Sequence, residues 1–301
     1  MPNLLDVAKT CFADVPFLNN KIDQLVAKYG NGYIQFATQH LEALFAYLHF
    51  EQSRFEEVCH AFLEMTFEIM RLQNSYYQTG QFALDLNEAQ RSNLYQNPEL
   101  MRDKYLIGLY LAQVFWENHF EKLLFFQSAF LPLLQPNYRL LDVGSGAGTY
   151  TLLALRCQPS CTIVANDISP LSSPIIKGLA QVMAGVPDNH IVCRVGDFAE
   201  IFAHESFDAI VFSEVVEHLN DPEKGMACLS HLVAPHRFVF FSTATNAAFY
   251  DHTIVFNCIA DIVHLVEKHG FKVVNYQEIL AFKGPNGLDV IDYNAILQKV
   301  C

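Results

Sequence analysis

One stretch decides the fold: Leu140-Leu141-Asp142-Val143-Gly144-Ser145-Gly146-Ala147-Gly148-Thr149. Its apolar half predicts a buried strand, and the residues after Thr149 predict a helix. Glycine lets the chain turn tightly and lets a ligand come close to the backbone, and here three glycines stand at alternate positions. Ligands of open α/β sheets bind where strands end. The stretch is therefore predicted to be a strand followed by a ligand-binding loop.

The chain around and after this loop alternates short apolar runs with helical stretches, which is typical of a parallel sheet covered by helices. Strands are predicted at Arg139–Val143, Thr162–Asn166, Ile191–Val195, Asp208–Phe212 and Phe238–Ser242. A helix is expected over Val255–His269. Two further runs, Lys272–Leu280 and Val290–Lys299, are too closely joined for a crossover helix and predict an antiparallel hairpin. The expected fold is α/β: a Rossmann-like, seven-stranded, mostly parallel sheet with an antiparallel hairpin at its edge.

Before residue 136 the apolar residues recur at helical spacing, which predicts an all-helical region. A less regular segment is expected at Asn74–Asn97, followed by a long helical stretch from Pro98 to Leu134. The period of the pattern changes near residue 136. We therefore predict two domains, a helical cap over residues 1–136 and an α/β domain over residues 137–301.

The spacing of the glycines separates this loop from other nucleotide-binding loops. A dinucleotide fingerprint needs Gly or Ala where Thr149 stands, and a P-loop needs a Gly-Lys pair that does not follow. What remains resembles motif I of the class I methyltransferases, whose cofactor is S-adenosylmethionine. The resemblance implies that the methionine part of that cofactor is bound by Asp142, Gly144, Ser145, Gly146 and Gly148.

The ends of the next strands carry polar residues in the order that this resemblance requires. Asp167, followed by Ile168, ends the second strand, and a carboxylate there suits the two hydroxyls of a ribose. In the resembled family, Asp197 after the third strand would bind the adenine amino group and Phe198 would pack on the ring. The fourth strand brings Ser213 and Glu214 to the same rim.

The segment Glu214-Val215-Val216-Glu217-His218 admits several interpretations. If a helix begins there, Glu214, Glu217 and His218 share one face, and with His252 they form a weak candidate metal site. This pattern is similar to that of small-RNA 2′-O-methyltransferases and of ubiquinone-pathway O-methyltransferases. A purely structural helix start is the favoured alternative, so no metal is expected. His218, with Glu217 beside it, is also a candidate for accepting a proton during methyl transfer.

The helical region is expected to supply the pocket for the methyl acceptor. Tyr76 is a candidate catalytic residue, and Tyr77, Asn118 and His119 are candidates for substrate contact, because aromatic and amide groups suit a sulfonium and a polar acceptor. A helical cap before this fold resembles small-molecule methyltransferases of specialised metabolism. It is also similar to azetidine-2-carboxylate synthases, which cyclise S-adenosylmethionine.

Composition and charge make several functions less favoured. The formal net charge is −13, spread evenly along the chain without a basic run, which disfavours nucleic acid as a partner. The eight cysteines form no C-x-x-C pair, and no signal peptide or membrane-spanning run is visible. A cytoplasmic protein acting on a small molecule is the expectation, and the oligomeric state stays open.

These observations favour an S-adenosylmethionine-dependent methyltransferase acting by direct displacement on a small polar or amino-acid-like metabolite. The main alternative is a cyclase that releases methylthioadenosine. A metal-assisted RNA 2′-O-methyltransferase and a non-catalytic cofactor-binding regulator remain open.

Overall fold

A computed structural model describes residues 3–80, 93, 95–183 and 185–300. The chain opens with α1 (Leu4–Cys11), α2 (Pro16–Tyr29), α3 (Asn31–Tyr47) and α4 (Gln52–Thr79). The side chain of Asn3 caps α1 by accepting a hydrogen bond of 3.2 Å from the Leu5 amide. Gly80 ends α4 with a left-handed φ of +64°, a conformation that glycine adopts readily.

The irregular segment predicted from Asn74 is wrong over its first turns, because α4 continues to Thr79. Its polar composition misled the prediction. Gln73 and Tyr76 are buried against the rest of the protein, and this packing outweighs local propensity. Residues 81–92 and 94 lie outside the described part of the chain.

The stretch predicted as one long helix from Pro98 to Leu134 is almost entirely helical, but it consists of several shorter helices. They are α5 (Pro98–Leu100), a π-helix (Met101–Leu106), α6 (Ile107–Phe115), α7 (Glu117–Phe125), a second π-helix (Phe126–Phe130) and a 3₁₀ turn (Leu131–Leu133). The break between α6 and α7 is Trp116, which is extended with φ −103° and ψ 124°. No glycine or proline marks this position, so the sequence pattern did not predict it.

The predicted sheet is confirmed. Its strands are β1 (Arg139–Val143), β2 (Thr162–Asp167), β3 (Ile191–Val195), β4 (Phe207–Ser213), β5 (Val233–Thr245), β6 (Phe271–Phe282) and β7 (Val290–Lys299). They lie in the order β3-β2-β1-β4-β5-β7-β6. The first five strands pair in parallel, whereas β7 is antiparallel to both β5 and β6, as the hairpin pattern predicted.

The connections supply the helices on the two faces of the sheet. They are α8 (Thr149–Cys157), α9 (Ser172–Val182), α10 (Phe198–Ile201), α11 (Pro222–Leu232) and α12 (Ile259–Lys268). The helix expected from Val255 thus begins four residues later. No α-helix begins at Glu214: the chain forms a 3₁₀ turn at Val216–His218, so the predicted shared helical face of Glu214, Glu217 and His218 is wrong.

Alternate residues of β1 enter two different cores. Leu140 belongs to a cluster that includes Phe240, Phe126 and also Leu4 and Ala8 of α1, so the N-terminal helices share the core on one face of the sheet. Leu141 belongs to the cluster on the other face, beneath α11 and α12. The division into domains at residue 136 stays a prediction. Within the described residues, no helix combines the length and apolarity required to cross a bilayer.

Candidate functional site

The glycine loop after β1 is held in a shape that only glycine suits. Gly144 and Gly148 have φ values of +63° and +82°. A Cβ atom on Gly144 would lie 2.8 Å from Cγ2 of Val215, and one on Gly148 would lie 2.6 Å from Cγ1 of Ile176. The loop therefore presents bare backbone at the carboxyl edge of the sheet, and α8 begins directly behind it.

Asp142 supports this loop from behind. Its carboxylate accepts a hydrogen bond of 2.6 Å from the Thr151 hydroxyl in the first turn of α8. Asp142 is 1% exposed, and burial raises its pKa to about 7. It lines neither cavity described below, so the direct ligand contact predicted for it stays a prediction.

A cavity of about 260 Å³, which we call the strand-end cavity, lies where β1, β2 and β3 end. Its sheet-side walls are Gly144, Gly146, Asn166, Asp167, Ile168, Gly196, Asp197 and Phe198. Asp167 accepts hydrogen bonds from the amides of Gly146 and Ser169, each 2.8 Å long, and burial raises its pKa. Asp197 caps α10 through the Ala199 amide at 2.9 Å. The structure thus brings the residues predicted at the second and third strand ends to one cavity.

The helical region roofs this cavity with Tyr95, Met101, Tyr105, Leu106 and Leu109. The hydroxyls of Tyr95 and Tyr105 donate to the same carboxylate oxygen of Asp251, at 3.2 and 3.1 Å. Asp251 lies in the loop after β5 and is fully buried. The roof is therefore fastened to the sheet side by hydrogen bonds.

A second cavity of about 210 Å³, the inner cavity, adjoins the first. The two share Tyr105, Leu109, Gly144, Gly146, Glu214 and His218. The inner cavity is also lined by Ser145, Ser213, Glu217 and His252, and by Asn118 and His119 from α7. Tyr76 and Tyr77 line neither cavity. The side chain of Tyr77 instead approaches Gly284 at the edge hairpin.

Glu214 directly follows β4 and has a left-handed conformation with φ +54°, which is unusual for a residue other than glycine. Its Oε1 accepts hydrogen bonds of 2.8 Å from Lys122 and from Ser242. Burial alone would raise the pKa of Glu214, but the Lys122 ammonium outweighs it and lowers this pKa to about 2. Glu214 is therefore a carboxylate held by a lysine of the helical region.

Lys122 is 1% exposed and is close to two carboxylates, because its ammonium lies 2.8 Å from Glu214 and 3.5 Å from Asp292 on β7. Asp292 also accepts a 2.9 Å hydrogen bond from Asn118. Neither Lys122 nor Asp292 was predicted from the sequence as a site residue. Asp292 is a charged residue between apolar neighbours, which is an available sequence signal, whereas Lys122 follows Glu121 in a mixed stretch and carries no such signal.

Glu217, His218 and His252 are of the residue types that bind metal ions and lie close together. Ligand atoms of Glu217, His218 and His252 lie within 4.8 Å of one another. Both carboxylate oxygens of Glu217 are buried without a hydrogen-bond partner among the described residues. The Nδ1 atoms of His218 and His252 each lie 3.2 Å from a backbone carbonyl, of Asp251 and Ala247. Such bonds leave Nε2 available as a ligand. Glu214, the fourth member predicted, is paired with Lys122 instead.

The pKa values of the three follow from burial and from neighbouring carboxylates. Burial and the charge of Glu214 raise the pKa of Glu217 to about 8, and burial lowers the pKa of His252 to about 4. Burial acts to lower the pKa of His218, but Asp251 and Glu217 outweigh it, so this pKa is raised. A neutral His119 follows from its burial, which lowers its pKa to about 3.

The chain is similar to known methyltransferases. Residues 115–276 match a family model described as a methyltransferase domain. Curated relatives include the ubiquinone biosynthesis O-methyltransferases of Chromobacterium violaceum (33% identical, covering 36% of this chain and 46% of that protein) and Neisseria meningitidis serogroup C (34%, covering 39% and 49%). The mitochondrial enzyme of Rattus norvegicus is 32% identical over 50% of this chain and 44% of its own length. The chain thus spans about half the length of the curated relatives it matches.

Solved structures resemble the chain less closely. The N-methyltransferase NodS from Bradyrhizobium japonicum matches with a TM-score of 0.45 and 19% identity, covering 61% of this chain and 86% of NodS. The [4+2]-cyclase SpnF matches with a TM-score of 0.49 and 13% identity, covering 60% and 80%. At these scores neither structure bears on the activity of this chain.

Proposed function

Because the chain belongs to the class I S-adenosylmethionine-dependent methyltransferases, we propose that it methylates an oxygen atom of a small polar metabolite held in the inner cavity. One observation carries the proposal. The strand-end cavity and the inner cavity share a wall at Gly144, Gly146, Glu214 and His218, so their two occupants would meet there. The names of the curated relatives favour oxygen as the methylated atom.

The strand-end cavity has the chemistry to hold S-adenosylmethionine. Asp167 and Asp197 offer oxygens to hydroxyl and amino hydrogens, and Phe198 and Ile168 offer apolar surface to a purine. The backbone of Gly144 and Gly146 leaves room for the amino-acid part. When bound, this cofactor supplies a methyl group on a sulfonium, which an acceptor oxygen can take by direct displacement.

His218 is our candidate for accepting the proton of the acceptor hydroxyl. It lines both cavities, and the bond of its Nδ1 to the Asp251 carbonyl fixes a tautomer with the lone pair on Nε2. Lys122 and Asn118 border the same space and would orient polar groups of the acceptor.

A divalent ion is a second candidate participant, because the unpartnered carboxylate of Glu217 suits one. Glu217, His218 and His252 would hold it, and such an ion would lower the pKa of a coordinated hydroxyl. In that case His218 would be a ligand rather than the base.

The test incubates the protein with S-adenosylmethionine and a panel of phenols and hydroxy acids and identifies the nucleoside product. S-adenosylhomocysteine with a methylated hydroxyl supports the proposal. Methylthioadenosine formed without any acceptor would instead mean cyclisation. RNA-dependent turnover would indicate an RNA methyltransferase, and cofactor binding without turnover would indicate a regulator. The names of the curated relatives support none of these three.

Two variants and a chelator separate the roles near His218. His218→Ala should lower turnover by about 100-fold if His218 is the base, whereas the exposed His264→Ala should leave it unchanged. Loss of turnover in a chelator, restored by added Mg²⁺ or Zn²⁺, would assign the three residues to a metal. Unchanged turnover in both experiments would remove His218 from the chemistry.

A further inference from the structure

A third cavity of about 270 Å³, which we call the outer cavity, adjoins the inner cavity beside the edge strand β6. The two cavities share Ile69, Trp116, Asn118, Ala281 and Phe282. This common wall includes the extended Trp116, at which the helical stretch is broken between α6 and α7. An acceptor in the inner cavity therefore has a place into which a further part of it can extend.

The outer cavity is mainly apolar and opens toward solvent. Phe17, Met70 and Leu280 line it and remain 43%, 40% and 56% exposed. Large apolar side chains left exposed around a concave surface are characteristic of ligand-binding sites. The part of a ligand that lies against these side chains would therefore be apolar.

The polar groups of the outer cavity are mostly hydrogen-bond donors. Lys21 and Lys283 line it, and neither forms a salt bridge within the described part of the chain. Thr66, only 4% exposed, also lines it, and its hydroxyl has no hydrogen-bond partner there. The one carboxylate of the lining, Glu117, pairs with Lys28 at 2.9 Å. Two unpaired ammonium groups and a buried hydroxyl suit an anion, in a protein whose net charge is −13.

The inner cavity offers unoccupied hydrogen-bond acceptors, whereas the donors Lys122 and Asn118 that also line it are already bonded to Glu214 and Asp292. Its buried Gln113 Oε1 lacks a hydrogen-bond partner among the described residues, and Glu214 is a carboxylate. These groups accept hydrogen bonds, as a hydroxyl-bearing head group requires. Each end of the joined cavities thus selects a different functional group.

We propose that the acceptor is a bipolar molecule, a hydroxylated head group joined by an apolar spacer to a carboxylate, and that the outer cavity binds the carboxylate end. The proposal rests on the proposed function for the identity of the head group. The binding of the carboxylate is independent of turnover, so the two can fail separately.

Trp116 makes the experiment direct, because it is the only tryptophan of the chain and lies in the wall shared by both cavities. Its fluorescence is titrated with ω-hydroxydecanoate and with the methyl ester of that acid, using the full chain. The acid is expected to bind about tenfold more tightly than the ester, with the difference shrinking at high salt.

Three variants localise the effect. Lys21→Gln and Lys283→Gln should each weaken binding of the acid by about fivefold and leave binding of the ester unchanged. Thr66→Val should weaken it by a similar factor. The exposed Lys224→Gln on α11 makes the same change in net charge away from the cavity and should have no effect.

Equal affinity for acid and ester, or equal affinity of the Lys21→Gln/Lys283→Gln double variant and the native protein for the acid, would overturn the proposal. So would the absence of any Trp116 response to the acid. If the acid binds as expected but no hydroxy acid is methylated in the presence of S-adenosylmethionine, the carboxylate site stands and the proposed function falls.

Discussion

Replacing Lys122 by Met tests whether the helical region and the sheet are joined by charge as well as by apolar contact. The ammonium group lies 2.8 Å from Glu214 and 3.5 Å from Asp292, and the lysine side chain is 1% exposed. Methionine fills a similar volume but carries no charge. Lys122→Met would therefore leave two neighbouring carboxylates without their counterion.

The expected loss follows from the burial of the three groups. Removing one partner of a buried ion pair destabilises a protein by about 3–5 kcal/mol, because the remaining charge is left uncompensated. Asp292 is only 5% exposed, whereas the side chain of Glu214 is 35% exposed, so water screens part of its charge. We therefore expect the free energy of unfolding to fall by about 2–4 kcal/mol.

The assay is urea unfolding at neutral pH, followed by circular dichroism, with Glu214→Gln and the double variant completing a thermodynamic cycle. The double variant should be at least about 1 kcal/mol more stable than the sum of the single effects implies. The interaction also depends on pH. Lys122 lowers the pKa of Glu214 from 4.5 to about 2, so its contribution is present above pH 4.5 and is lost as pH falls toward 2. A loss below about 1 kcal/mol for Lys122→Met, with strictly additive variants, would refute this reasoning.

Three other predictions use the same measurement. Asp142→Asn should gain stability relative to the native protein by roughly 2–4 kcal/mol as pH rises from 4 to 7. Burial raises the pKa of Asp142 from 3.8 to about 7, so the native protein loses stability as pH rises above 3.8, where the carboxyl ionises in the unfolded chain but not in the folded one. A stability difference independent of pH would contradict this prediction. Gly148→Ala should destabilise by about 2 kcal/mol or more, whereas Gly287→Ala, with the same φ of +82° but open space around it, should lose only about 1 kcal/mol; equal losses would show that Ile176 yields to the new methyl group. Gln73→Leu should lower the free energy of unfolding by about 2–3 kcal/mol. The Gln73 side chain donates to the Asn246 carbonyl at 2.8 Å and accepts from the Ala248 amide at 2.9 Å, and leucine can do neither. An unchanged urea midpoint would mean that water takes over both hydrogen bonds.

The sheet was predictable because its signals are local. The apolar runs of β1 to β5 and the short link between β6 and β7 each determine a strand or a pairing without knowledge of the rest. The glycine loop was predictable for the same reason, since its spacing excludes the dinucleotide and P-loop alternatives. Asp167 and Asp197 followed from their place at strand ends.

The acceptor side of the site was less predictable because it depends on contacts between distant segments. Lys122 meets Asp292 across 170 residues of sequence, which no local pattern indicates. Tyr76 and Tyr77 are aromatic residues in a polar segment, but neither lines the strand-end cavity or the inner cavity, and Tyr77 lies near Gly284 instead. Glu214 has a left-handed backbone that replaces the predicted helix start, and Trp116 breaks a helix without glycine or proline.

The N-terminal helices do more than roof a pocket, because the apolar cluster that begins in α1 ends on the sheet. Leu140, Phe240 and Ile296 are buried in this cluster, and the rings of Phe126 and Phe130 pack directly on Phe240. A fragment starting at residue 137 would expose this strip of branched and aromatic side chains to water, and such a surface promotes aggregation. Anyone trimming the protein for crystals, or grafting its loops onto another scaffold, must therefore keep the helices as part of the folding unit.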